Sequence, residues 1–157
     1  MNKVVILMGS KGDLAQGEKI VKTLKEFGIS HELRVASAHK VPLKALEIIK
    51  QNEKENTVFI TIAGRSNALS GFCDAQTARP VIACPPYSEA FAGADIWSSL
   101  RMPSGVCPLT ILEPEGAALA AVKMLGLVDA QLFPKIEQYQ AKKRDELEKA
   151  DNEVKNG

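Results

Sequence analysis

The chain has 157 residues, the size of a single domain, and can bury about two-thirds of the surface that its unfolded form exposes. Its apolar fraction of 45 % and charged fraction of 25 % are ordinary for a globular protein, and a net charge of +1 offers no bulk attraction to nucleic acid or to an anionic membrane. The opening run KVVILMG is too short for a signal peptide or a transmembrane span. Cys73, Cys84 and Cys107 fit neither a zinc site nor a disulfide framework, so we expect buried free thiols and a cytoplasmic protein.

Five apolar runs of strand length recur along the chain, separated by segments of helical period. They cover residues 4–8, 32–36, 57–63, 80–84 and 108–112. The first, third and fourth runs are continuously apolar, which is typical of parallel strands covered on both faces. Alternating strands and helices imply right-handed crossovers. The pattern therefore predicts a three-layer α/β fold, a doubly wound parallel sheet of flavodoxin or Rossmann type.

Three helices are predicted between these strands and after the last of them. The first carries an apolar stripe between Leu14 and Phe27 and ends at Gly28, where a left-handed residue is favoured. Pro42 opens a second helix and Pro114 an alanine-rich third. The inner side of the second helix is expected to carry Leu43, Leu46 and Ile49.

The C-terminal segment differs in composition from the rest of the chain. Residues 135–157 hold twelve charged side chains, six of each sign. They surround a thin apolar stripe of Ile136, Tyr139, Leu147, Ala150 and Val154. We expect a terminal helix whose stripe packs on the domain or on a neighbouring subunit.

Segments rich in glycine, serine or proline follow four of the predicted strands. They are GSKGD at 9–13, SAHK at 37–40, AGRSN at 63–67 and CPP at 84–86. Doubly wound sheets bind ligands beyond the carboxyl ends of their strands, where the winding reverses. We therefore expect these segments to form one composite site.

The first two segments suit a phosphorylated ligand and a proton transfer. Ser10 and nearby backbone N–H groups can cradle a phosphate or ribose, and Asp13 either binds ribose hydroxyls or caps the following helix. His39 is a natural general base near neutral pH, and Lys40 can bind an anion as a point charge. A structural histidine and a solvated surface lysine are the alternatives.

The third segment adds a second group that can bind an anion. Gly64 permits close approach of a ligand, and Arg65 offers a planar fork to a carboxylate or phosphate. Ser66 or Asn67 is expected to cap the next helix. The long polar loop at 97–105 is expected to cover the site or to reach a neighbour's site, with Trp97 as a packing anchor in the alternative interpretation.

The motifs HExxH, CxxC and GxSxG are absent, so zinc hydrolase, redox and serine hydrolase chemistry have no support in the sequence. The segments MGSKGD, RVASAHK, AGRSN, PVIACPP, WSSLRMPSG and PEGAA together resemble the phosphoribosylaminoimidazole carboxylase family of purine biosynthesis, in order and spacing over residues 3–127. In the family's GSxSD motif Gly12 replaces a serine, so one phosphate contact is either lost or made by the backbone. The resemblance implies a catalytic domain of residues 1–127, followed by a charged helix of residues 128–157.

The family has two branches, and two motifs separate them. The mutase branch, which converts N5-carboxyaminoimidazole ribonucleotide, has SAHR and GAGGAAHLPG, whereas this chain has Lys40 in SAHK and Arg65, Ser66 and Asn67 in AGRSNALSG. The sequence is more similar to the branch that carboxylates aminoimidazole ribonucleotide directly with CO2. Arg65, Ser66 and Asn67 would then form a polar wall facing the new carboxylate. The mutase reaction and a non-enzymatic nucleotide-binding module are the alternatives.

The resemblance also implies particular roles for residues of this chain. His39 would transfer the C4 proton of the substrate, without metal or cofactor. The implied substrate-binding residues are Ser10, Asp13, Ser37, Ala38, Lys40, Gly64, Arg65 and Ser66. The implied assembly is a homo-oligomer, either a tetramer or an octamer, with a small-molecule ribonucleotide and CO2 as its ligands.

Overall fold

The computed structural model contains a five-stranded parallel sheet with helices on both faces. It describes residues 1–54 and 56–156, with residue 91 described by its backbone only. The strands are β1 Lys3–Met8, β2 Ser30–Val35, β3 Thr57–Ile62, β4 Val81–Ala83 and β5 Leu109–Thr110. Their order across the sheet is β2-β1-β3-β4-β5, and each pairing is parallel. The doubly wound α/β fold predicted from the sequence is confirmed.

The helices begin where the sequence places their start signals. They are α1 Leu14–Glu26, α2 Pro42–Asn52, α3 Ala68–Asp74, α4 Trp97–Leu100, α5 Pro114–Gly126 and α6 Leu132–Asn156, with 3₁₀ segments at Lys11–Asp13 and Ala90–Ile96. Pro42 and Pro114 lie in the first turns of α2 and α5, where proline's missing N–H costs no hydrogen bond. Gly28 follows α1 with a φ of +70°, the left-handed conformation that glycine adopts at little cost.

Two apolar cores lie on the opposite faces of the sheet, because successive side chains of a strand point to opposite faces. On one face, Ile6 and Ile60 pack with α1, α5 and the start of α6. On the other face, Leu7 and Phe59 pack with α2 and α3. All six residues of β3 are buried. Each large aliphatic side chain buried in this way contributes about 1.5–3 kcal/mol.

The predicted inner side of α2 is wrong at one residue. Leu43 is 80 % exposed, and Leu46 is only partly buried. The buried residues are Ala45, Ile48 and Ile49, which share one face at the helical period. The buried stripe is therefore centred on Ala45, Ile48 and Ile49 and rotated away from Leu43.

The terminal helix packs on the domain only over its first half. Ile136 is buried, and the Tyr139 ring lies 5.1 Å from the ring of Phe27. Leu147 and Val154 are 73 % and 84 % exposed, so only the proximal part of the stripe packs on this domain, and packing of the distal part on a neighbouring subunit stays a prediction. The 25 residues of α6 extend about 37 Å at 1.5 Å per residue, nearly twice the length of the 13-residue α5 beside it.

The cysteines and Trp97 differ in part from expectation. Cys73 and Cys84 are buried, and burial raises the pKa of the first to about 12 and of the second to about 11. Cys107 is exposed, which contradicts the prediction of three buried thiols. Trp97 is 69 % exposed on the single chain and does not anchor its core. Within the described ranges, no helix has both the length and the apolar character required to cross a bilayer.

Candidate functional site

A cavity of about 580 Å³ lies at the carboxyl edge of the sheet. The loops that follow β1, β2, β3 and β4 surround it, and the strand order reverses beside β1, as expected for ligand sites in this architecture. Its lining residues are Gly9, Ser10, Asp13, Ser37, Ala38, His39, Lys40, Ala63, Gly64, Arg65, Ser66, Leu69, Pro86, Ser88 and Asp95. The structure therefore brings together all nine residues that the sequence singled out.

The loop after β1 is a tight turn held by its own side chains. The Ser10 backbone N–H and hydroxyl both donate to Asp13 Oδ2, at 2.9 and 3.0 Å, and the Gly12 N–H donates to Ser10 Oγ at 3.2 Å. Together these bonds form a capping box at the start of the 3₁₀ segment. Asp13 occupies the N-cap position of α1 but makes no side-chain cap bond to that helix, so the predicted capping of α1 is wrong, and ribose binding stays a prediction.

The loop after β2 presents His39 and Lys40 to the cavity. The Ala36 N–H donates to the Met8 carbonyl at 2.9 Å, which keeps the chain beside β1 until the strand ends. Ser37 then closes a turn, because its hydroxyl accepts from the Lys40 N–H at 3.3 Å. His39 and Lys40 at the tip of this turn are both exposed. Local hydrogen bonds thus orient the proposed base and its neighbouring cation.

The loop after β3 carries the guanidinium on a strained backbone. Arg65 has a φ of +57°, the left-handed conformation that residues with a Cβ rarely adopt. Such outliers concentrate at functional sites, where the surrounding structure holds them in place. Within residues 1–54 and 56–156, the Arg65 side chain forms no ion pair and no hydrogen bond to a carbonyl. The structure thus gives no support to a purely local anchoring role.

Asn67 does not belong to the polar wall that the sequence suggested. It is buried, its Oδ1 accepts from the Ser70 N–H at 3.2 Å, and its Nδ2 donates to Ser99 Oγ at 2.9 Å. It therefore caps α3, as the other prediction for this residue stated, and both polar atoms of its side chain bond within the chain. Only Arg65 and Ser66 of that wall face the cavity.

Two lining residues, Ser88 and Asp95, come from a stretch that sequence reasoning did not assign to the site, and a third, Pro86, comes from the predicted CPP segment. Pro86, Ser88 and Asp95 lie between β4 and β5, in a segment that lacks strand or helix periodicity. The CPP motif pointed toward Pro86, but no local signal identified Ser88 or Asp95. Asp95 Oδ2 is buried and has no hydrogen-bond partner among the described residues. The site thus contains an acidic group as well as the two cations.

The fold and the site together define a flavodoxin-like domain that presents one imidazole, two cations and small polar groups to a ligand at the sheet edge. The family model described as AIR carboxylase matches residues 3–146. A phosphoribosylaminoimidazole carboxylase of Archaeoglobus fulgidus is 58 % identical over 153 residues, which are 98 % of this chain and 85 % of that protein. The crystal structure of Treponema denticola PurE superposes with a TM-score of 0.95 at 44 % identity, covering 99 % of both chains.

A longer relative shares the same domain. The rat bifunctional phosphoribosylaminoimidazole carboxylase/phosphoribosylaminoimidazole succinocarboxamide synthetase is 43 % identical over 155 residues, which are 98 % of this chain and 36 % of that protein. The chain belongs to the AIR carboxylase family and is an enzyme of purine biosynthesis. The family resemblance predicted from the motifs is confirmed, and the non-enzymatic alternative is set aside.

Proposed function

We propose that this enzyme carboxylates 5-aminoimidazole ribonucleotide directly with CO2, in a reversible reaction that gives 4-carboxy-5-aminoimidazole ribonucleotide. The observation that carries this proposal is that His39 shares one cavity with Ser37, Lys40 and Arg65 at the carboxyl edge of the sheet. The names of two relatives, both phosphoribosylaminoimidazole carboxylases, support the same reaction.

The chemistry needs one proton-transfer group. C4 of the ring is nucleophilic because the 5-amino group donates electron density to it, as in an enamine. C4 attacks the carbon of CO2, and one C=O electron pair becomes the charge of the new carboxylate. The intermediate carries both a hydrogen and a carboxylate on C4 and has lost its aromaticity. Neutral His39 accepts the C4 proton, and the C–H electron pair returns to the ring.

The reverse reaction uses the same residue as an acid. The His39 imidazolium returns its proton to C4, and the C4–carboxylate bond then breaks to release CO2. The scheme needs no metal, ATP or organic cofactor, because the ring itself stores and releases the electron pair.

The remaining lining residues bind and orient the ribonucleotide. Ser37 and Lys40 hold its phosphate, and the Lys40 ammonium supplies a charge-assisted contact. Gly64 lets the ring approach the backbone, because a Cβ there would lie 3.3 Å from Pro86 Cγ and narrow the cavity. The substrate-binding residues of the proposal are Ser10, Asp13, Ser37, Ala38, Lys40, Gly64, Arg65 and Ser66.

Direct carboxylation is preferred to the mutase reaction because of the wall after β3. A carboxylase must capture CO2 from solution and stabilise the carboxylate that forms. The Arg65 guanidinium and the Ser66 hydroxyl are donors suited to that charge. A mutase retains the CO2 released from its own substrate, for which a wall of small residues suffices.

We further propose that residues 1–127 form the catalytic unit of a cytoplasmic homo-oligomer, a tetramer or an octamer. Four large apolar side chains at one edge of the chain support an assembly, since each is about half exposed or more: Trp97, Leu100, Leu109 and Leu112. Free cysteines are compatible with a reducing compartment. Light scattering tests the assembly, and a monomer at micromolar concentration would contradict it.

One assay tests the reaction. Purified protein receives 5-aminoimidazole ribonucleotide with either bicarbonate alone or CO2-saturated buffer, and formation of the 4-carboxy product is followed. N5-carboxyaminoimidazole ribonucleotide is assayed in parallel. We expect turnover that depends on free CO2 and poor use of the N5-carboxy compound. Efficient mutase turnover without CO2-dependent activity would overturn the branch assignment while leaving the role of His39 intact.

A further inference from the structure

Asp95 lies between two adjoining cavities. It lines the site cavity and an adjoining cavity of about 280 Å³, together with Gly64, Pro86 and Ser88. Its backbone carbonyl accepts from Ser98 Oγ at 2.8 Å, and the same hydroxyl accepts from the Asn67 N–H at 2.9 Å. These two bonds tie the backbone of Asp95 to the loop that carries Arg65 and Ser66. The position of Asp95 is therefore fixed relative to the site.

The Asp95 carboxylate lacks a donor on the protein side. The residue is half-buried, and its Oδ2 is enclosed without a hydrogen-bond partner among the described residues. Neither Lys40 nor Arg65 forms an ion pair with it in the part of the chain that the structure describes. Buried polar atoms are normally paired, because an unpaired one has lost its hydration without compensation. A ligand in the cavity can supply the missing donor.

The chemistry of the ribonucleotide limits which of its groups can be that donor. The phosphate and the unsubstituted ring nitrogen are acceptors, and a carboxylate repels the phosphate. The available donors are the ribose hydroxyls and the 5-amino group. Asp13, in the turn after β1, lines the same cavity and is the residue suited to the ribose. The amino group remains for Asp95.

We propose that Asp95 is a specificity-determining residue whose carboxylate accepts a hydrogen bond from the 5-amino group of the substrate. The proposal rests on the proposed function. The contact distinguishes an aminoimidazole from an imidazole that lacks the amine. It also polarises the amino group in the direction that increases electron donation to C4.

Paired ligands test the assignment by binding alone. The dissociation constants of 5-aminoimidazole ribonucleotide and of imidazole ribonucleotide, which lacks the amine, are measured for the wild type, Asp95→Asn and Asp95→Ala. We expect the wild type to prefer the amino compound about ten-fold or more, as a hydrogen bond to a charged group would give. In Asp95→Ala this preference should fall to near one, and Asp95→Asn, which keeps a neutral acceptor, should be intermediate.

Asp13→Asn is the matched control, because both ligands carry the ribose. It should weaken both ligands by the same factor and keep the preference for the amine. Equal loss of both ligands in the Asp95 variants, or no loss, would overturn the assignment. Equal affinity of the wild type for the two ligands would overturn it without any variant. Failure of the wild type to bind the amino compound at all would instead overturn the proposed function.

Discussion

The site cavity and the groove beside α6 show how differently polar groups are used in two regions of one chain. The groove, about 710 Å³ between the end of α1 and α6, is the larger of the two. Next to it, the Tyr139 hydroxyl donates to Glu115, and Lys143 Nζ lies 3.3 Å from the same carboxylate. The hydrogen bond from Tyr139 is the main cause of the lowered pKa of Glu115, whereas burial and then Glu115 raise the pKa of Tyr139. These groups satisfy one another.

In the site cavity the charged groups line open space instead. His39, Lys40 and Arg65 are exposed, and Asp95 Oδ2 has no partner in the described part of the chain. Their loops follow three different strands, and the loop after β1 completes the lining, whereas the groove is lined mostly by a single helix. Volume alone would have selected the wrong region. The distinguishing property is that polar groups from four loops converge at the carboxyl edge of the sheet.

The two histidines of the chain give the sharpest test of that contrast. His39→Asn keeps some hydrogen bonding but removes the general base, so we expect carboxylation and decarboxylation to slow by about 100-fold or more with nucleotide binding largely kept. His31 lies on β2 with its Nδ1 at 3.2 Å from the Ile29 carbonyl, away from the cavity. His31→Asn is therefore the control and should turn over like the wild type. Full activity of His39→Asn in steady-state assays would remove the proton-transfer role.

A comparison of Lys40 with Lys44, four residues further along the chain, should give the next largest effect, on ribonucleotide binding. Lys40→Ala removes a charge-assisted phosphate contact and should raise the dissociation constant of the ribonucleotide about ten-fold or more. Lys44→Ala, on the exposed face of α2 and outside the cavity lining, should leave it unchanged. Calorimetric titration at low and high salt measures both variants. Equal affinity of Lys40→Ala and wild type would show that Lys40 does not contact the phosphate.

Arg65 allows backbone strain to be separated from chemistry. Arg65→Gly relieves a left-handed conformation that costs roughly 1–2 kcal/mol for residues with a Cβ, partly offset by the greater freedom of glycine in the unfolded chain. We expect a melting temperature equal to or above that of the wild type, together with a carboxylation rate lowered by about ten-fold.

Ala92→Gly is the control for strain, since Ala92 has a φ of +54° and does not line the cavity. It should match Arg65→Gly in the direction of its stability change and keep wild-type activity. Undiminished carboxylation by Arg65→Gly would mean that the guanidinium only shapes its loop.

Much of this site is predictable from the sequence, because the segments with unusual residues are the ones that the fold places at the carboxyl edge of the sheet. Continuous apolar runs identify the strands, and parallel winding brings their carboxyl ends to one edge. Residues that directly follow a strand, such as Ser10, His39 and Arg65, are therefore located by counting along the chain. The sequence also offered two roles for Asn67, and only its contacts with Ser70 and Ser99 decide between them.

The remainder depends on tertiary contacts that have no local signal. Asp95 lies in a 3₁₀ segment whose sequence shows neither the strand period nor the helix period. The hydrogen bond from Ser98 Oγ to its carbonyl holds it beside the cavity. Which face of α2 is buried is decided by tertiary packing, which buries Ala45 and leaves Leu43 exposed. The distal half of α6 has an apolar stripe, but its Leu147 and Val154 are exposed. A periodic pattern indicates that a helix has an apolar face without indicating what covers that face.

That distal half is where we expect the smallest effect. Residues 142–156 are all exposed, and truncation before residue 143 keeps the buried Ile136 and the contact of Tyr139 with Phe27. The truncation loses the ion pair of Lys143 with Glu115, whose contribution is small because both groups are exposed and screened by solvent. The rate per folded subunit should therefore stay close to that of the full chain, measured by steady-state kinetics with the assembly size monitored in parallel.

Truncation before residue 132 is the contrasting variant: it uncovers apolar core residues beneath α6 and should lower the melting temperature strongly. If the protein truncated before residue 143 lost activity while its oligomer stayed intact, α6 would carry site chemistry. That result would contradict the contrast between the site cavity and the groove beside α6.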